Sequence, residues 1–306
     1  MADIGVLVMA YGGPGRMEDV APYLLDVRNR RPTPEAVVQE VRERYRRIGG
    51  RSPILERTQA QAMALQLALD PTCERFRTIV GMRHWHPYIA DALAQLTSEG
   101  IGRAVGLVMA PHYSRMSIGA YYQKVADANS SVAIAPIESW HLLPGFLDAL
   151  AERVRSALTR FPINEQGDVA VIFTAHSLPE RILSWNDPYP DQLRATTEAL
   201  VERLALRTFR FAYQSAAMTP DPWLGPDAGT VMEGLAASGV RNVLIAPIGF
   251  TCEHVEILYD VDVELQYRAR TLGVHLERIA MVNDAALLMT GLANLVRQAA
   301  SGARWL

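Results

Sequence analysis

Strand-length apolar runs alternate with helical stretches along this chain, and that alternation leaves room for few folds. Residues 4–11 read as a strand, and 34–48 and 57–69 as helices. Strand 76–82 precedes helix 86–98, strand 103–110 precedes helix 117–127, and strand 132–137 precedes helix 144–160. The pattern then starts again with strand 168–175, helix 188–204, strand 209–214, helix 227–237 and strand 242–249, and ends with helix 253–267, strand 274–279 and helix 283–300. Such βα alternation specifies an α/β protein with parallel sheet. Two halves meet around residues 161–167, where turn residues replace periodicity. Two long stretches, 12–33 and 215–227, read as loops, and loops of that length in a compact fold often carry function.

In open α/β sheets ligands bind beyond the carboxyl ends of the strands, so the polar residues that end the apolar runs are candidates for one crevice. Ile4–Ala10 delivers Tyr11, Val105–Ala110 delivers His112, Val169–Ala175 delivers His176 and then Ser177 and Pro179, and Val243–Phe250 leads to Glu253, His254 and Glu256. His176 alone could be a core histidine bonded to a backbone carbonyl. The abrupt strand end at Ser177 and Pro179 moves it toward the rim of the sheet.

With 306 residues and 49% hydrophobic content the chain can bury a large core, as two domains of about 150 residues or one large sheet. A formal charge of −3 supplies no basic field, which argues against nucleic acid as the main partner. Cys73 and Cys252 have neither CxxC spacing nor partners enough for a disulfide scaffold, a cysteine-rich zinc site or an iron-sulfur cluster. A reducing cytoplasm is the expected compartment. The first strand begins by Ile4, before a signal core would fit, and no apolar run reaches the roughly 18 residues of a membrane span.

Glu253, Glu256, Asp260 and Glu264 follow one another at spacings that stack carboxylates on one face of a helix, with His254 beside them. This ladder is either a solvated acidic face or the border of a cleft able to take a divalent cation, hydrated Mg²⁺ at the oxygens or Fe²⁺ near the nitrogen. Stretch 12–33 mixes Arg16, Arg28, Arg30 and Arg31 with Tyr23, Leu24, Leu25 and Val27. It is either a solvated surface loop or the wall for a flat apolar ligand carrying carboxylates. Gly12-Gly13-Pro14 lacks the spacing of a phosphate loop. Of His84 and His86, at alternating positions, one at most faces a crevice.

The motifs Leu7-Val-Met-Ala-Tyr-Gly-Gly-Pro14, Tyr45-Arg-Arg-Ile-Gly-Gly-Arg-Ser-Pro53, Thr174-Ala-His-Ser-Leu-Pro-Glu180, Asp187-Pro-Tyr-Pro-Asp-Gln192, Gln214-Ser215 with Thr219-Pro-Asp-Pro-Trp-Leu-Gly-Pro226, and His254-Val-Glu-Ile-Leu-Tyr-Asp260 together resemble the ferrochelatases. The resemblance runs from Gly5 to about Leu295. It implies two Rossmann-like domains of chelatase type, 1–160 and 161–306, each a parallel sheet flanked by helices, with the last helix a candidate to pack back on the first domain. A porphyrin cleft would lie between them. It marks His176 and Glu256 as the pair that handles Fe²⁺ and pyrrole protons, Tyr11, Arg28, Ser52 and Tyr121 as substrate contacts, and Asp260 and Glu264 as an outer hydrated metal path open to Mg²⁺. The Met-Ala-Tyr-Gly opening is similar to the branch acting on coproporphyrin III. Asn29 and Leu24 depart from some relatives, and no cysteine-bearing extension for an iron-sulfur cluster is present. The resemblance implies iron as substrate, no required cofactor, and a monomer whose partners are porphyrin and Fe²⁺. Protoporphyrin IX ferrochelatase, a cobalt or nickel chelatase of more reduced tetrapyrroles, and a non-catalytic tetrapyrrole carrier are the competing readings.

Overall fold

The computed structural model describes residues 2–217 and 221–306, so Thr219 and Pro220 of the loop motif lie outside the described residues. The first half runs β1 (Ile4–Ala10), α1 (Val20–Val27), α2 (Glu35–Arg47), α3 (Ile54–Leu69), β2 (Phe76–Met82), α4 (Ile89–Ser98), β3 (Arg103–Val108), α5 (Ile118–Asp127), β4 (Ala133–Ile137) and α6 (Pro144–Leu158). The second runs β5 (Ala170–His176), α7 (Tyr189–Leu204), β6 (Phe209–Gln214), α8 (Ala228–Ala237), β7 (Asn242–Pro247), α9 (Val255–Leu258), a π-helical turn at Asp260–Leu265, α10 (Gln266–Thr271), β8 (His275–Arg278) and α11 (Ala286–Gly302).

Each half is a parallel sheet of four strands, ordered β2-β1-β3-β4 and β6-β5-β7-β8. In both, the first strand of the half lies at an inner position, a doubly wound order that the alternation alone does not specify. Every residue of β1 is buried, as expected of a central parallel strand covered on both faces. One apolar core joins the sheets: Val6 and Val8 of β1 share it with Phe146 and Leu150 of α6, Val171 and Phe173 of β5, and Leu288 and Leu292 of α11. The last helix, α11, packs against α3 and α6 of the first half. Local chemistry sets several ends. Asp227 caps α8 by accepting from the Gly229 and Thr230 amides at 2.9 and 3.2 Å, and the Tyr88 amide donates to the Asp91 carboxylate at 2.9 Å to start α4.

Most elements fall within a helical turn of the expected bounds, and two expectations are corrected. Stretch 12–33 is not an irregular loop, because it holds α1, whose Val20, Tyr23 and Val27 recur at helical spacing and give it an apolar face. Helix 253–267 is not continuous. His254 is extended, α9 is a single turn, and in the π segment the Glu264 amide donates to the Tyr259 carbonyl five residues back, at 3.0 Å. The continuous α-helical register expected to stack Glu253, Glu256, Asp260 and Glu264 is therefore interrupted. Glu253, ahead of the helix, pairs with Arg57 at 3.2 Å.

Candidate active site

The strand ends of both sheets open onto one cavity of about 470 Å³, within the range of roughly 300–1,000 Å³ usual for small-molecule sites. Tyr11 after β1, His112 after β3, His176 at the end of β5 and Glu256 beyond β7 all line it. The Thr251 hydroxyl donates to the Met109 carbonyl at 2.9 Å and ties the two sheets together at this rim. Two glycines let the walls come close. Gly12 has φ +91°, and a Cβ there would lie 2.9 Å from the Trp85 amide nitrogen; a Cβ on Gly249 would lie 2.6 Å from that of Ala175.

Glu256 stands between two imidazoles. His176 Nε2 lies 3.3 Å from one carboxylate oxygen and His254 Nε2 lies 3.3 Å from the other. The outer nitrogens are engaged too: His176 Nδ1 with the Ser177 carbonyl, and His254 Nδ1 with the Cys252 carbonyl at 3.0 Å. Both nitrogens of each ring therefore meet oxygen partners. Behind the pair, the Tyr189 hydroxyl donates to the His176 carbonyl at 2.9 Å, and the Gln214 amide donates to the Glu256 carbonyl at 2.9 Å while accepting from Thr174. His176 and Glu256 keep 32% and 29% of their side-chain surface open, enough to be reached from the cavity.

Electrostatics follow from this packing. Burial alone would lower the His176 pKa, but the Glu256 charge and hydrogen bond overcome it and raise the pKa to about 9. His176 is thus held as an imidazolium by its carboxylate neighbour. Burial likewise opposes ionisation of Glu256, yet His176 and His254 hold it well below the usual carboxylate range. Asp260 moves the other way, up to about 6, because burial and the Glu256 charge outweigh the Ser215 hydroxyl bonded to it and Arg44 at 3.7 Å. Tyr11 is pushed up to about 12 by burial, with Arg83 opposing.

The other sequence candidates divide. Ser52, buried against Gly13, and Tyr121 line the cavity. So do Tyr23 and Val27 of α1, whereas Arg28, Arg30 and Arg31 are exposed and do not line it. Asp260 lies outside the cavity wall, and Glu264 borders a separate surface hollow with Arg47, Tyr259 and Tyr267. Among the described residues no three His, Cys, Asp or Glu side chains gather as a metal-binding group, while the Glu264 charge adds to the upward push on the Asp260 carboxyl and both carboxylates act on Arg44. His84 is buried, with Nδ1 2.9 Å from Asp26 and its ring 4.7 Å from that of Tyr11, while the His86 side chain is 68% exposed. His112 is buried against the Thr196 hydroxyl at 2.9 Å. Sequence reasoning did not single out Tyr45, Arg83 or Tyr189 as cavity residues. For Arg83, the adjacent HxH pattern drew attention to the histidines instead.

A family model of the ferrochelatases matches residues 3–300. The chain belongs to the ferrochelatase family. That membership makes it an enzyme of the metal chelatase class, a lyase of haem biosynthesis. It is 43% identical over 289 residues to the ferrochelatase of Herpetosiphon aurantiacus, covering 92% of this chain and 94% of that protein. To the coproporphyrin III ferrochelatase of Geobacillus kaustophilus it is 37% identical over 298 residues, covering 95% and 94%. Among solved structures, SirB from Bacillus subtilis with Fe³⁺ has the same fold, with a TM-score of 0.61 at 11% identity over 99% of this chain and 98% of that one. CbiX, described as the terminal enzyme of siroheme biosynthesis in denitrifying bacteria, matches with a TM-score of 0.54 at 13% identity over 96% and 98%. No helix among the described residues is long and apolar enough to cross a membrane.

Proposed function

We propose that this member of the ferrochelatase family inserts Fe²⁺ into coproporphyrin III to give coproheme, with His176 and Glu256 handling the metal and the pyrrole protons. Each turnover forms bonds from iron to the four macrocycle nitrogens and releases two pyrrole protons, with no change in oxidation state. The observation that carries this reading is the Glu256 carboxylate bracketed by two imidazoles on the open wall of the cavity. A dication approaching that wall lowers the proton affinity of the His176 imidazolium, whose Nε2 proton passes to the Glu256 carboxylate and on to solvent, and this frees Nε2 as a ligand. The His176–Glu256–His254 group then takes protons from the macrocycle. Asp260, titrating near 6, is the next acceptor toward the exterior.

Tyr11, Ser52 and Tyr121 line the space for the macrocycle, and Arg28 meets a substituent only where the ligand extends past Val27. Iron is a substrate in this reaction and no resident cofactor enters it. The coproporphyrin choice is supported by relatives in Geobacillus kaustophilus and Oceanobacillus iheyensis that carry that name at 37% and 36% identity. A monomeric, cytoplasmic enzyme belongs to the same reading.

The test mixes the protein anaerobically with Fe²⁺ and either coproporphyrin III or protoporphyrin IX and follows loss of free-porphyrin fluorescence. Faster metallation of coproporphyrin III is expected. His176→Ala is expected to bind coproporphyrin III normally and to lose roughly 10²-fold or more in metallation. Normal turnover at saturation in that variant would refute the role of His176, and preference for protoporphyrin IX would overturn the substrate.

A further inference from the structure

Among the described residues Arg83 is the only arginine or lysine lining the main cavity. Its guanidinium carbon lies 5.7 Å from the Tyr11 ring centroid and 5.4 Å from that of Tyr121, so two aromatic faces flank it. Its hydrogen bonding is incomplete. Nη1 makes one long bond to the Met116 carbonyl at 3.4 Å, and Nε is buried without a partner. Arg83 forms no ion pair among the described residues. Nearby carboxylates are committed elsewhere, Asp26 to His84 at 2.9 Å and Glu256 to His176 and His254.

A half-buried cation with an orphaned donor costs stability unless something on the cavity side completes it. The guanidinium fork matches a carboxylate in two-point geometry. The Tyr11 and Tyr121 rings flank the guanidinium on two sides. We infer that Arg83 receives a carboxylate of the tetrapyrrole bound in this cavity, so that it selects for acidic side chains on the macrocycle. This inference rests on the tetrapyrrole reading above. Arg83 would act on the cavity wall, while exposed Arg28 lies beyond it.

The experiment titrates metal-free coproporphyrin III and its tetramethyl ester, in the same detergent, into the wild type and into Arg83→Met and Arg83→Lys, following porphyrin fluorescence without iron. Circular dichroism melts confirm that the variants fold. Loss of one charge-assisted bidentate contact predicts that Arg83→Met binds the acid about 10- to 100-fold more weakly, that Arg83→Lys recovers part of this, and that the ester binds wild type and Arg83→Met equally. The inference is overturned if the ester loses as much affinity as the acid, since Arg83 then only shapes the wall, or if Arg83→Met binds the acid as the wild type does. Failure of the reaction reading is separate: wild-type protein that binds coproporphyrin III without inserting iron refutes the chelation step, while the acid-against-ester comparison still decides the role of Arg83. Wild-type protein that binds neither porphyrin overturns both.

Discussion

Replacing Glu256 with glutamine keeps the side chain's size and removes the charge that keeps His176 protonated. In the native protein burial pulls the imidazole pKa down from 6.5, and the Glu256 charge and hydrogen bond carry it past that value to about 9. Without the carboxylate, burial becomes the dominant influence, so His176 in Glu256→Gln is expected to titrate at or below 6.5. Histidine Cε1–H chemical shifts against pH measure this directly. A His176 pKa that stayed above about 8 would show that some other group holds the proton and would refute the pairing.

The same substitution has a consequence for stability. The folded-state pKa lies above the unfolded one, so the folded protein holds an extra proton between 6.5 and about 9. The contribution is complete below 6.5 and is lost as pH rises through 9. That interval corresponds to about 3.4 kcal/mol at 1.36 kcal/mol per pH unit, and solvent at the 32% of the imidazole left open screens it to about 2 kcal/mol. The same pair seen from Glu256, whose pKa is lowered from 4.5, is lost as pH falls below that value. The advantage of wild type over Glu256→Gln is therefore widest between about 4.5 and 6.5. It should shrink by about 2 kcal/mol, or roughly 3–6 °C in Tm, between pH 6.5 and 9.5. Melting curves for the two proteins that ran parallel across that range would sink the argument.

Gly249→Ala places a methyl group 2.6 Å from Ala175 Cβ and 2.9 Å from its Cα, so urea denaturation should show a loss of about 1–3 kcal/mol; an unchanged midpoint would mean that β5 and β7 can separate freely. Cys252 is buried in the cavity wall, and burial pushes its thiol up to about 12, so iodoacetamide at pH 8 should label exposed Cys73 first and Cys252 only after denaturation. Rapid native labelling of Cys252, read by mass spectrometry, would contradict that placement.

Local patterns carried much of this protein. A helix announces itself in residues three and four apart and a buried strand in a continuous apolar run, so the alternation and its restart after residue 161 were legible without any long-range contact. So were the strand ends carrying Tyr11, His112, His176 and Glu256, because in a parallel sheet those ends share one edge. The sequence motifs also carried the family. Tertiary structure decided what no local pattern encodes. The π turn after Tyr259 broke the continuous helix that the carboxylate spacing suggested. Helix α1 presents Tyr23 and Val27 to the cavity and leaves Arg28 outside, while the segment after β2 brings Arg83 in. The protonation of His176 depends on a carboxylate far along the chain, and on how deeply both groups are buried. Propensity and periodicity act between neighbours in sequence, whereas charge, desolvation and the direction a side chain faces act through space, and only the folded chain sets those distances.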